Sequence, residues 1–258
     1  MMAAIPEFDP IEANYQQATG VFVATSKLGE VLEAQDVYIT NSGFPVFDYN
    51  MVFVKRPDYE VAASLEKAAR YLEGRKLPYR VCVRADHADE CRRLLLPRGF
   101  AEPQPFPGMQ LSPIPEVPKA PAGLEIRRVC EAEALADFQK TAFEGFGLPA
   151  AAAPLVLTEH LLPLPGVVLF AGYAGGEPVC TSGLVVTAGV AGIYWVATLE
   201  RFRGRGYGEA VTWQAVAAGR EMGCDVASLQ ASEMGRPVYE RMGFVNDRDY
   251  ARFDSPEA

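Results

Sequence analysis

Beyond residue 122 the chain alternates between two rhythms. Leu124-Glu125-Ile126-Arg127-Arg128-Val129 switches apolar and polar at every step, the period of a half-buried strand. From Glu131 to Phe146 the apolar positions Leu135, Phe138, Ala142 and Phe143 recur at helical spacing, and Ala152 to Leu162 reads as a second helix stopped by Pro163 and Pro165. Val167 to Tyr173, Pro178 to Val186 and Val190 to Ala197 are three strands, with turns at Gly175-Gly176 and Ala188-Gly189. Gly208 to Met222 is a helix that Gly223 ends. Val226 to Gln230 is a strand and Arg236 to Met242 a short helix with Gly243 just past it. Phe244 onward and Tyr250 to Phe253 close the chain with strands. The order β-α-α-β-β-β-α-β-α-β-β predicts a mixed α/β sheet.

The first half echoes the end of the second. A strand over Tyr49 to Val54 leads to a helix over Asp58 to Glu73, a strand over Tyr79 to Val83 and a helix over His87 to Leu96. The unit ends in Arg98-Gly99-Phe100, as the later one ends in Met242-Gly243-Phe244, at nearly equal spacing. A diverged internal duplication accounts for this. Between the halves, Glu102 to Gly123 holds seven prolines, too many for a helix, although Met109-Gln110-Leu111 could be an edge strand. The expected boundary lies near residue 118, giving units over 1–117 and 118–258.

Composition narrows the classes. At 258 residues, 49% hydrophobic and 22% charged, the chain is an ordinary globular sequence of one large or two small domains. The net charge of −9 argues against a nucleic-acid partner and is compatible with a cationic substrate. Five scattered cysteines form no Cys-x-x-Cys pair, and with only His87 and His160 there is no metal-binding spacing, so no metal is expected. Unpaired cysteines fit a reducing compartment, and Met1 to Glu7 shows no signal peptide, so a cytoplasmic location is expected. Val179 to Leu199 lacks charge over a membrane-spanning length, but Gly183, Gly189 and Gly192 among β-branched residues make it two strands rather than a span.

The chemistry concentrates in one loop. Gly204, Gly206 and Gly208 alternate between a strand and a helix, where the backbone can turn tightly and approach a ligand. The first amides of the helix have no internal partner and carry the positive end of its dipole, a place for a diphosphate. Arg203 and Arg205 add positive charge. Glu209 stands where a dinucleotide fingerprint needs its third glycine, and the Gly-Lys-Ser/Thr of a nucleotide-triphosphate loop is absent.

Arg203-Gly204-Arg205-Gly206-Tyr207-Gly208 resembles the Arg/Gln-x-x-Gly-x-Gly/Ala loop of the GNAT superfamily of N-acetyltransferases. Tyr194 to Thr198 resembles that family's splayed fourth strand, and Tyr239-Glu240-Arg241-Met242-Gly243-Phe244 its closing Tyr-x-x-x-Gly-Phe signature. The resemblance covers about residues 122 to 254, and the first half is similar to a degenerate copy, as in two-domain members. It implies two GNAT-like units, each with a mixed, mostly antiparallel sheet flanked by helices, and a splayed strand pair where acetyl-CoA binds. Backbone groups of Val196, Ala197 and Thr198 would meet the pantetheine arm. Amides from Arg203 through Gly204, Arg205, Gly206 and Tyr207 to Gly208 would hold the diphosphate. Tyr239 would stand near the acetyl sulfur as the catalytic residue. Ser232 occupies a position that is often asparagine in the family, which weakens the expectation of a side-chain contact there.

The implied activity is transfer of an acetyl group from acetyl-CoA to the amine of a small molecule or peptide, with a homodimer compatible. Without the motif, Tyr239 is a core aromatic. Trp195 and Phe146 read as core that could shape an acceptor pocket, His160 as a surface histidine, and Glu144, Glu200 and Glu233 as candidate bases. A non-catalytic acyl-CoA sensor, an unrelated nucleotide-binding enzyme and an interaction protein are the alternatives, separated by ligand binding and turnover.

Overall fold

The computed structural model describes residues 9–55 and 60–256. The first half contributes helix α1 (Pro10–Ala24), strands β1 (Glu30–Glu33), β2 (Val37–Asn41) and β3 (Met51–Val54), helix α2 (Val61–Glu73), strand β4 (Arg80–Arg84), helix α3 (Ala88–Leu95) and strand β5 (Gln104–Leu111). The second contributes β6 (Leu124–Arg128), α4 (Ala132–Phe146), the short α5 (Ala153–Val156), β7 (Val167–Ala174), β8 (Glu177–Thr187), β9 (Val190–Thr198), α6 (Tyr207–Glu221), β10 (Val226–Gln230), α7 (Arg236–Arg241) and β11 (Val245–Asp254). The mixed α/β fold expected from the pattern is the observed one. The second helix after β6 is shorter than its apolar run suggests: Pro154 starts it, and the chain then makes a separate 3-10 turn at Glu159–Leu161. The two closing strands are one strand, β11, bent by a bulge between Asn246 and Arg248. The sequence start, Met1 to Glu7, and the first two residues of the helix expected from Asp58 lie outside the described residues.

All eleven strands form one sheet in the order β1-β2-β3-β4-β11-β5-β10-β9-β8-β7-β6. Within each half, one parallel pair (β3 with β4, β9 with β10) follows antiparallel neighbours. The middle of the sheet interlocks the halves. β11, from the end of the chain, lies between β4 and β5 of the first half, and β5 pairs with β10 of the second. β5 is thus an interior strand despite Pro105 and Pro107. Its pairing with β10 ends at Gly108, opposite Gln230; just beyond, the Pro107 carbonyl accepts from the Ala231 amide at 2.9 Å, a bond that needs no amide hydrogen from the proline.

The sequence pattern did not announce α1. Ile11, Asn14, Tyr15, Ala18, Phe22 and Val23 are all buried, which leaves little of the polar face by which a surface helix is recognised. The sheet curls around it: α1 packs against β1 and β2 at one side and against β8 and β9 at the other. Asn14, fully buried, fixes this second contact. Its amide donates to the carbonyls of Val185 (3.0 Å) and Val190 (3.1 Å) and accepts from the Tyr194 hydroxyl (2.7 Å). Helices α6 and α7 cover the opposite face of the second half, and α2 and α3 that of the first.

Candidate functional site

The parallel pair β9–β10 opens after three residues. Val190, Ala191 and Gly192 pair with Val226, Ala227 and Ser228, and β9 then runs on to Thr198 without β10 beside it. A bulge on β9 accompanies the parting: Thr181 pairs with Ala197 and Gly183 with Tyr194, so four β9 residues oppose three of β8. Trp195 takes up the extra residue at φ +54°, a costly conformation for a bulky side chain. Its surroundings hold it there. The indole is stacked between Tyr49 (5.5 Å, 17°) and Phe143 (5.5 Å, 20°), with Phe22 and Phe146 edge-on, and the Thr181 hydroxyl donates to the Trp195 carbonyl at 2.8 Å. Tyr49 and Phe22 come from the first half, so that half helps to shape the strand at the site.

Two cavities flank the parted strands. The loop cavity, about 600 Å³, lies at the N-terminus of α6. Gly206 is the N-cap at φ +77°, and no side chain caps the helix, so its first amides have no partner and face an anion-attracting position. Gly208 serves differently: a Cβ there would come within 2.9 Å of Thr198 Oγ1, so a larger residue would have to displace that hydroxyl. Val196, Ala197, Thr198, Arg203, Gly204, Gly206, Tyr207, Gly208, Ser232 and Tyr239 all line this cavity. Arg205 does not; its guanidinium lies 5.1 Å from the Phe202 ring. Arg203 Nε donates to the Thr198 carbonyl at 3.2 Å. Ser232 Oγ accepts from the Gly235 amide at 3.1 Å and so orders the turn into α7.

The second, aromatic cavity is about 330 Å³ and lies between the halves. Tyr15, Phe22, Tyr49 and Phe106 of the first half face Tyr194, Trp195, Gln230 and Arg252 of the second. Phe146, Val196, Ser232 and Tyr239 belong to both cavities, so the two meet at these four residues. Tyr239 is buried, and burial pushes its phenol up to about 12. The wall from the first half, and Arg252 with it, escaped the sequence reading, because nothing local in Tyr15 or Tyr49 signals a partner in the other half.

The residues weighed as bases lie elsewhere. Glu144 pairs with Arg201 (2.9 Å) on the surface, Glu200 and Glu233 are exposed, and none of them lines either cavity. His160 is exposed on its 3-10 turn. Among the described residues no group of three or more His, Cys, Asp or Glu could hold a metal, and no helix is long and apolar enough to cross a membrane.

Adjacent parallel strands that part beside a glycine loop, under a mixed sheet, are the arrangement that the sequence motifs imply. Residues 133–244 match the model of the Acetyltransferase (GNAT) family. A GCN5-related N-acetyltransferase from Kribbella flavida is similar over 100% of this chain and 98% of its own, with TM-score 0.72 and 18% identity. A tandem GNAT protein from the clavulanic acid biosynthesis pathway is similar over 99% of this chain and 90% of its own (TM-score 0.61, 11% identity). A putative GNAT-family acetyltransferase from Novosphingobium aromaticivorans covers 96% and 98% (TM-score 0.60, 15% identity). At these identities the likeness is one of fold. No curated protein matches the chain by sequence.

Proposed function

We propose that this protein moves an acetyl group from acetyl-CoA to the amine of a small acceptor. The observation that carries the reading is the junction of two cavities at Val196 and Tyr239. One cavity has an uncapped helix N-terminus suited to a diphosphate, and the other is an aromatic space of small-molecule size. In this reading the diphosphate lies on the amides from Arg203 to Gly208, and the pantetheine arm lies along Val196 to Thr198 as an added strand. To accept it, the Thr198 carbonyl must be shared with or released by Arg203.

The acceptor nitrogen attacks the thioester carbon from the aromatic side. Holding both fragments at one junction supplies much of the rate, and β9 amides freed from β10 stabilise the oxyanion. As the C–S bond breaks, the Tyr239 hydroxyl donates its proton to the sulfur and recovers one from the new amide nitrogen. With the phenol near 12, direct donation to a thiolate of reference pKa ~8.5 is uphill, and this relay from nitrogen to sulfur removes the mismatch. The carboxylate that lines the aromatic cavity, Asp48, is not among the four junction residues, and in this reading the ammonium loses its first proton to water.

We read the units 1–117 and 118–258 as diverged copies, the first of which serves as wall and brace. Calorimetry with acetyl-CoA, followed by CoA release with a panel of amines, tests the whole reading. Cofactor binding without turnover of any amine would make the protein a sensor, and preference for ATP or NAD would end the assignment.

A further inference from the structure

The aromatic cavity has unmet hydrogen-bond donors in its wall. Trp195 Nε1, Gln230 Nε2 and Arg252 Nε are buried, and none has an acceptor in the protein. All three atoms lie behind the cavity surface, and what a ligand can meet directly is the open part of the Arg252 side chain, 17% of it.

Arg252 is the strongest of them. Its guanidinium carbon lies 3.6 Å from the centroid of the Phe106 ring, which fixes the plane of the charge. Its carboxylate partner, Asp48, is 3.4 Å from Nη1, a distant contact for an ion pair. Asp48 is held more closely by Arg80, which also grips Asp254 through Nε (2.5 Å) and Nη2 (2.9 Å). Arg80 therefore has two carboxylates, and Arg252 has part of one. Arg248, four residues earlier on β11, shows the contrast: it is paired with both Asp9 and Asp247.

A polyamine would find one carboxylate here, the exposed Asp48, but brings nothing that the Arg252 guanidinium can bind. A carboxylate brings two acceptor oxygens, which a guanidinium holds in a fixed plane. The remaining wall, from Phe22, Tyr49, Phe106 and Trp195, suits an apolar body, and about 330 Å³ suits a small one.

We propose that the acceptor is an amine that bears a carboxylate on an apolar body, of the amino-acid class, and that Arg252 holds the carboxylate. This rests on the acetyl-transfer reading above and narrows its substrate. The net charge of −9 remains compatible, because the amine end of such a molecule is still a cation.

Matched pairs that differ by the carboxylate alone test it: phenylalanine with phenethylamine, leucine with isopentylamine, tyrosine with tyramine. Binding to the full chain is measured by calorimetry, and acetylation as CoA release. We expect the carboxylated member of at least one pair to be favoured 10-fold or more in both affinity and kcat/KM. Arg252→Gln should erase that preference by raising KM for the acid, while the decarboxylated amine stays within about threefold and acetyl-CoA affinity within about twofold. Arg252→Lys should restore part of the preference. Equal affinities within every pair, including none for either member, overturn the proposal, as does an Arg252→Gln effect of the same size on acid and amine. Absence of acetyl-CoA affinity would instead sink the transfer reading, and the paired binding measurements would still decide what this cavity holds.

Discussion

The loop cavity has a counterpart in the first half of nearly equal room, about 610 Å³ against about 600 Å³. It lies at the end of β3 and β4, the parallel pair of the first half as β9 and β10 are of the second, but its lining differs. Among the described residues the first-half cavity presents Asp9, Glu12 and Asp86 beside Lys55, Arg84 and Arg248, three charges of each sign. Most are already engaged, Arg248 with Asp9 and Arg84 with Asp86 at 3.1 Å. Burial raises the Glu12 carboxyl, against the pull of Arg84. The loop cavity offers Gly204, Gly206 and Gly208 with Arg203, Arg241 and a single acid, Glu209. Volume does not make a phosphate site; unspent backbone donors and a positive balance of charge do.

Gly206→Glu should have the largest effect. It places a side chain at φ +77° and a negative charge where the diphosphate would lie, and acetyl-CoA affinity should fall on the order of 100-fold or more. Calorimetry reads the loss, with circular dichroism to show a retained fold; a folded variant that binds normally would erase the contrast between the cavities. Tyr239→Phe removes one hydroxyl and keeps the ring, and should lower kcat on the order of 100-fold with little change in acetyl-CoA binding. A kcat within about twofold of wild type, with chemistry limiting, would return Tyr239 to the core.

Asn14→Leu strips the buried bonds that tie α1 to the β8–β9 hairpin and leaves the Tyr194 hydroxyl without its acceptor. The cost should be about 2–3 kcal/mol, read as a melting temperature lower by roughly 5–10 °C. An unchanged Tm would mean that the halves do not depend on this brace. High pH should destabilise more gradually. Burial holds the thiols of Cys82, Cys91 and Cys180 and the phenols of Tyr173 and Tyr239 up to about 12. An unfolded chain releases those protons near pH 9–10, so stability is full below pH ~9 and declines as pH rises toward 12. Denaturant midpoints at pH 8 and pH 10.5 measure it, and equal midpoints would contradict the burial. The smallest effect belongs to Arg84→Gln in the first-half cavity, which should leave acetyl-CoA affinity within about twofold and the stoichiometry at one per chain; a stoichiometry of two in the parent protein would break the comparison.

The second half was legible because its signals are local. Alternation marks β6, glycine pairs mark the hairpins, and the residues of the glycine loop are neighbours in sequence as well as in space. Ten of the eleven site positions named from sequence converge on one cavity, and the exception, Arg205, turns toward Phe202. What escaped was built from distance. α1 is buried on nearly every side and has no stripe to read, while β5 carries prolines that argue for an edge although it lies between β11 and β10. The aromatic cavity needs Tyr49 and Trp195 to meet, and no periodicity encodes a contact between residues so far apart along the chain.

The exchange of strands in the middle of the sheet bears on how the chain can be made. A polypeptide emerging from the ribosome completes β1 to β5 long before it reaches residue 245. Until then the slot between β4 and β5 has no occupant, because β11 supplies it. The half synthesised first is therefore finished last, and Val245–Asp254 act as the closing stitch for both halves at once. A stop before codon 245 would not yield a shortened protein with one intact lobe. It would leave two unpaired strand borders in each molecule, open to the wrong partner.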